Sequence, residues 1–234
     1  MPSQPLAIRR IDFGYFLRPA EETGTGKPRV EALLGYAVMR HNGILLFDSG
    51  LGEGDAEADA RYRPVRRRLD IALASAGIAR QDVRWLANCH LHFDHCGGNP
   101  DFAGRPIFVQ AIELALARTV TDYTLPHVVD FEGAHYEQLL GEAEIFPEVL
   151  AIPTPGHTEG HQVLAVRAND GSVVLAGQAH NNAFDYTTEQ LAWRARGEGR
   201  VNETVISYRP WIERLQQLDP KRILFAHDYA VWEP

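Results

Sequence analysis

Cys89-His90-Leu91-His92-Phe93-Asp94-His95-Cys96-Gly97-Gly98-Asn99 places three imidazoles and one carboxylate within six positions. The stretch follows a short apolar run, residues 83–87, that reads as a strand, so its polar side chains emerge at a strand end. His90 and His92 are two apart and point to the same side if the chain stays extended. Gly97-Gly98 then lets the backbone bend sharply. Neutral imidazole nitrogen and carboxylate oxygen are the donor set of zinc and similar borderline divalent ions. One histidine is most often a satisfied core residue; four ligand-type residues at this density point to a metal.

Two further segments repeat the device. A strand over 149–153 leads into Thr154-Pro155-Gly156-His157-Thr158-Glu159-Gly160-His161, a Pro/Gly-rich turn that holds a side chain rigidly. Near the C-terminus, a strand over 222–226 ends at His227-Asp228. Three separate strand ends therefore each deliver histidine, which is how a metal site is assembled from distant segments on one rim of a sheet.

Outward from these motifs, runs rich in Val, Ile and Leu recur at 33–39, 44–47, 107–110, 163–166 and 173–176. Asn42-Gly43 and Asp170-Gly171 mark hairpins between two pairs of them. Helical spacing joins Val65, Leu69, Ala72, Leu73 and Ala76; 111–117 is a second candidate, and Trp211, Leu215 and Leu218 mark a third behind Pro210. Strand and helix alternate throughout, with no short repeat and no clear boundary, so residues 1–234 read as one domain. The polar segment 119–144 reads as a loop excursion near the active site. Arg61, Arg63, Arg66, Arg67 and Arg68 read as a solvated helix face.

The chain has 234 residues, 45% of them hydrophobic and 23% charged, the proportions of a water-soluble globular protein. A net charge of −8 argues against a partner dominated by nucleic-acid phosphates or an anionic membrane. Two cysteines make no disulfide framework, and Cys89 and Cys96 read as small buried thiols. The first sixteen residues contain no apolar run long enough for a signal peptide, and no later stretch could span a bilayer. A cytoplasmic protein with a small-molecule substrate is expected, with no nucleic acid or membrane partner and a homodimer left open.

His90-x-His92-x-Asp94-His95, with Thr154-Pro155-Gly156-His157-Thr158, His227 and the early Asp48-Ser49-Gly50 turn, resembles the metallo-β-lactamase superfamily of metal-dependent hydrolases. The likeness covers about residues 30–230. It implies an α+β fold, a four-layer αββα sandwich with metals at one edge. In motif wording the chain looks most like the N-acyl homoserine lactone lactonases. By motif position His90, His92 and His157 would bind a first metal, and Asp94, His95 and His227 a second. Asp48 and His161 would orient the ligand loops from behind, and Glu159 would be an exposed loop carboxylate. Asp94 is the implied catalytic carboxylate, and the cofactor is one or two zinc ions, with iron, manganese or cobalt not excluded.

The family's bridging aspartate is replaced by Gln178, a neutral group whose carbonyl oxygen can ligate one ion but bridges two poorly. A weakened second site is expected. The lactonase tyrosine three positions later is Asn181 here, itself a candidate substrate contact. Tyr186 is the nearby candidate to take its part, Asp185 the candidate to supply the missing charge, and His180 reads as an exposed loop histidine. Tyr123, Phe131, His135 and Tyr136 are candidate substrate contacts from the excursion. Hydrolysis of a lactone or carboxylic ester is the expected activity. The alternatives are a glyoxalase II-like thioesterase and, because of Gln178, a non-catalytic metal-containing protein that binds a small molecule.

Overall fold

The computed structural model describes residues 6–168, 171–201 and 207–234. Asp170 of the second hairpin and residues 1–5 of the N-terminal stretch lie outside them.

The chain opens with strands β1 (Ala7–Arg18), β2 (Arg29–Arg40) and β3 (Gly43–Phe47), followed by helix α1 (Ala56–Tyr62), β4 (Val65–Arg66) and α2 (Leu69–Ser75). Then come β5 (Val83–Ala87), α3 (Phe93–Cys96), β6 (Pro106–Gln110), α4 (Ala111–Thr119) and α5 (Pro126–Val129). Strands β7 (His135–Leu139), β8 (Ala143–Phe146), β9 (Val149–Pro153), β10 (Gln162–Ala168) and β11 (Gly171–Leu175) follow. Helices α6 (Ala183–Gly197) and α7 (Trp211–Gln216) precede β12 (Pro220–Leu224) and β13 (Val231–Trp232).

These strands build two mixed sheets, one ordered β4-β1-β2-β3-β5-β6-β7 and the other β13-β12-β11-β10-β9-β8. Period-two alternation assigns their faces. Leu34, Tyr36 and Val38 of β2 and Leu45 and Phe47 of β3 meet Val149, Ala151, Leu164, Val166, Val173 and Leu175 in the layer between the sheets. The alternate residues Leu33, Ala37, Ile44 and Leu46 pack outward with Leu73 of α2 and Leu114 of α4. On the far side Val163, Ala165 and Val174 pack outward with Tyr186 of α6 and Trp211 and Ile212 of α7. Strands with both faces covered read as near-continuous apolar runs, which is why these were visible in the sequence. The result is the four-layer αββα sandwich, and each large apolar side chain it buries contributes about 1.5–3 kcal/mol.

Several local expectations change. The helical spacing from Val65 starts too early: Val65 pairs with Tyr15 in β4, and α2 begins only at Leu69. The first hairpin turns at His41-Asn42, because Arg40 pairs with Gly43. Segment 119–144 is no simple loop, since it contains α5, the edge strand β7 and the start of β8. The arginine run is not one helix face. It spans α1 to α2, and Arg61, Arg66, Arg67 and Arg68 each pair with a carboxylate.

Gly97 and Gly98 do not serve a left-handed bend, for their φ angles are −57° and −85°. Their value is close approach. A Cβ on Gly97 would sit 2.2 Å from the Leu51 carbonyl, and one on Gly98 would sit 2.5 Å from the Ser49 oxygen. The loop after β3 is thereby pressed against the histidine cluster. Gly97→Ala should therefore cost about 3 kcal/mol, the upper range for overpacking a rigid site. A melting temperature within about 2 °C of the parent would contradict this.

Candidate metal centre

His90 and His92 follow the C-terminal end of β5, His157 that of β9 and His227 that of β12, with Gln178 just beyond β11. Asp94 and His95 lie in the single turn of α3. The two sheets end on one rim, and the side chains converge there.

His90 Nε2 lies 3.1 Å from His157 Nε2, which lies 3.2 Å from His92 Nδ1. Beside this triad, Asp94 Oδ2 lies 3.4 Å from His95 Nε2 and 3.6 Å from His227 Nε2. In each triad the donor atoms lie within 4.8 Å of one another. His95 donates Nδ1–H to Asp48 Oδ2 at 3.0 Å, and His227 donates Nδ1–H to the Ala32 carbonyl at 2.8 Å. With Nδ1 so engaged, the Nε2 of each ring faces the centre. Asp94 Oδ2 and His227 Nε2 are buried and, among the described residues, have no hydrogen-bond partner. Facing lone pairs and an orphaned carboxylate oxygen are what a divalent cation satisfies, so the donor set fits a metal.

The electrostatics separate the two triads. Burial and neighbouring imidazoles hold His90 well below its ordinary range, His92 at about 4 and His157 at about 3. Burial also opposes charge on His95, but the carboxylates of Asp94 and Asp48 outweigh it and raise His95 to about 9. Burial would raise Asp94, yet His95, His227 and Arg18 hold it well below the carboxylate range.

Behind the two triads stands a buried polar frame. Asp48 has φ 62°, a left-handed conformation that aspartate tolerates, and its carboxylate accepts from Cys89 N–H at 2.8 Å as well as from His95. Ser49 donates to Asn99 Oδ1, Asn99 to Asn88 Oδ1, and Asn88 to the His95 carbonyl, at 2.8, 2.9 and 3.0 Å. His161 donates Nδ1–H to Thr154 and accepts the Gln178 N–H, so both of its nitrogens are engaged away from the centre. Glu113 went unnoticed in the sequence. It is buried and accepts from Leu91 N–H, Thr158 Oγ1 and Tyr123 Oη at 2.8, 2.8 and 2.6 Å, bracing two ligand loops at once. The only signal was a carboxylate within the apolar spacing of α4.

Gln178 Oε1 lies 3.3 Å from His95 Nε2, and its amide donates to Asn181 Oδ1 at 3.2 Å. Gln178 thus turns its neutral oxygen to the second triad. A cavity of about 600 Å³ opens beside His92, Asp94 and His157, walled by Phe16, Arg18, Tyr62, Phe93, Tyr123 and Leu125. A second, of about 460 Å³, opens beyond His157 and Gln178 over Asn181 and Arg209. Phe16, Arg18 and Tyr62 come from β1 and α1, elements the sequence reading did not recognise.

Four candidate contacts are elsewhere. Tyr186 is fully buried on the inner face of α6, its hydroxyl accepting from Gln216 at 2.5 Å, so it packs the outer core. Phe131 packs against the α2–α4 side, and Tyr136 is tied by its hydroxyl to the Val129 carbonyl at 3.0 Å. His135 sits exposed on edge strand β7, 3.3 Å from Glu137. Asp185 is occupied in capping α6 with Asn182. His180 is buried rather than exposed, its ring edge-on to Tyr186 and Trp211. Tyr123 does line the larger cavity, its ring centroid 4.9 Å from that of His92.

The metallo-β-lactamase superfamily profile matches residues 35–227. The chain belongs to that superfamily. An N-acyl homoserine lactonase of Bacillus thuringiensis is 29% identical over 213 residues, covering 82% of this chain and 80% of the relative. A Mycobacterium tuberculosis protein named "Probable metallo-hydrolase Rv2300c" is 30% identical over 236 residues, covering 84% and 74%. An N-acyl homoserine lactone hydrolase solved with N-hexanoyl-L-homoserine at its catalytic metal centre superposes with TM-score 0.74 at 23% identity, over 98% of this chain and 95% of that one. The dizinc quorum-quenching lactonase AidC gives TM-score 0.66 at 16% identity, over 97% and 89%. The superfamily member described here is a metallo-hydrolase. Among the described residues, no helix is long and apolar enough to cross a membrane.

Metal binding must displace protons, and the two triads differ in how many they hold. The first is already neutral until pH falls toward about 4, whereas a cation at the second competes with the proton on His95 up to about 9. Occupancy of the second site should therefore rise with pH while the first stays filled. Equilibrium dialysis and metal analysis from mildly acidic to mildly alkaline buffer would show one equivalent growing toward two. Loss of both equivalents over the same pH range would contradict the assignment.

Proposed function

We propose that the chain hydrolyses a lactone or carboxylic ester, in the manner of an N-acyl homoserine lactonase, at a centre holding one or two divalent ions. The supporting observation is the placement of Asp94, the carboxylate whose buried oxygen faces both His95 and His227 while its side chain borders the larger cavity. His90, His92 and His157 hold the first ion, and Asp94, His95 and His227 the second. Zinc suits a histidine-rich set, and iron, manganese and cobalt accept the same donors. Such an ion lowers the pKa of water to about 7 and polarises a carbonyl.

The chain's own groups do the rest. Asp94 stays ionised because His95, His227 and Arg18 surround it, so its carboxylate can take a proton from the attacking water. It returns that proton to the leaving alkoxide, which completes ring opening or ester cleavage. Phe16, Tyr62, Phe93 and Leu125 offer an apolar wall to an acyl group within a cavity of ordinary ligand size. The buried Asp48 and Glu113 keep the ligands in place, so little reorganisation accompanies the reaction.

Metal-replete protein should release acid from a long-chain N-acyl homoserine lactone in a pH-stat, and a chelated control should not. No release above that control would remove the lactone reading and direct the search to thioesters. Gln178 leaves two divalent ions facing a single carboxylate, so Gln178→Asp should tighten the second equivalent of metal by about tenfold, the scale of changes next to a ligand. Unchanged metal stoichiometry and affinity in that variant would show that the neutral oxygen costs nothing.

A further inference from the structure

Cys89 lies between the two triads. Its sulfur is 3.1 Å from Nδ1 of His90 and 3.3 Å from Nδ1 of His95, and the residue is fully buried. Its thiol is buried beside the Asp48 carboxylate, which its backbone N–H reaches at 2.8 Å. Room for the sulfur depends on Gly177, which has φ +54°. A Cβ there would fall 2.3 Å from Cys89 Cβ and 2.7 Å from its sulfur.

A histidine that gives Nε2 to a metal carries its proton on Nδ1, and that N–H needs an acceptor. For His95 the acceptor is Asp48 itself. For His90 the atom within reach is the Cys89 sulfur. We infer that Cys89 is a positioning residue for the first metal, relaying the Asp48 carboxylate through its thiol to His90. His90 Nδ1–H donates to sulfur, and the thiol S–H donates to Asp48, which also receives His95 Nδ1–H. One carboxylate thereby orients one histidine of each triad. Sulfur suits the place because its long bonds and diffuse lone pairs let one atom reach from the His90 ring toward the carboxylate that holds His95, whose ring centroid is 4.3 Å from that of His90. As a weak acceptor it also leaves His90 a less basic ligand than a direct carboxylate contact would.

The inference rests on His90 and His95 being ligands, and its test separates the two. The full chain, Cys89→Ser and Cys89→Ala are loaded with cobalt(II), followed by absorption spectroscopy and competition with a chelator. The parent should show ligand-field bands of nitrogen and oxygen ligation with no intense sulfur-to-cobalt band in the near ultraviolet. Cys89→Ala should bind its first equivalent about 10–100-fold more weakly, the usual loss when a ligand's hydrogen-bond partner is removed. Cys89→Ser, which keeps a donor and an acceptor, should restore most of that affinity.

A sulfur-to-cobalt band in the parent that Cys89→Ser abolishes would overturn the relay, making the sulfur a ligand. Unchanged cobalt affinity in Cys89→Ala would overturn it too. A parent that takes up no cobalt would overturn the ligand assignment itself and the relay with it. Should Cys89→Ala fail to fold, nitrogen-15 NMR of the metal-loaded parent decides. An exchange-protected Nδ1–H on His90 supports the relay, and an unprotonated Nδ1 overturns it.

Discussion

Two imidazole nitrogens, Nε2 of buried His90 and Nε2 of half-buried His157, stand 3.1 Å apart at the floor of the larger cavity. Lone pairs at that distance repel unless a proton or a cation lies between them, and burial with like neighbours pushes both rings toward the uncharged form. The arrangement is stable only because much else holds it. His90, His92 and His157 come from strand ends of different sheets, so the interlayer core of Val, Leu and Phe side chains supplies the rigidity that local structure could not.

The polar frame around the ligands follows from the same constraint. Each histidine that presents one nitrogen to the centre must settle the other. His95 uses Asp48, His227 uses a backbone carbonyl, and the loops carrying His92 and His157 are tied to one buried carboxylate, Glu113. A buried carboxylate is costly alone and strongly stabilising when it accepts several N–H and O–H donors, which is the situation of both Asp48 and Glu113. The asymmetry between the triads has its origin here. Asp94 and Asp48 bring negative charge to His95, while the first triad is imidazole alone. Gln178 turns a neutral dipole, not a charge, toward the second triad.

The convergence of His90, His92, His157, Asp94, His95 and His227 was legible in the sequence because those residue types cluster at strand ends. The buried strands were legible because both of their faces are covered, leaving unbroken apolar runs. What escaped notice had mixed patterning. Strand β1 alternates Arg, Asp and Tyr with its buried Ile11, Phe13 and Phe16, since one face is partly exposed near the sheet edge. Helix α1 buries no residue, so no apolar stripe marks it. Both wall the larger cavity, and so most of the substrate side of the site was hidden. Tyr186 was misplaced because distance along the chain from Gln178 says nothing about direction: the intervening turn into α6 points the ring at the core. His180 was misjudged for the same reason. Glu113 is the converse case, a carboxylate whose helical position gave no hint that three donors converge on it.

The account stands or falls on the convergence of donor atoms from separate strand ends upon a cation. The most direct measurement is anomalous diffraction from crystals of the metal-loaded chain, recorded on both sides of the metal's absorption edge. The account predicts a peak ligated by His90 Nε2, His92 Nδ1 and His157 Nε2, with a weaker neighbour at Asp94, His95 and His227. A peak lodged instead against Cys89, or none among the three histidines, would contradict it.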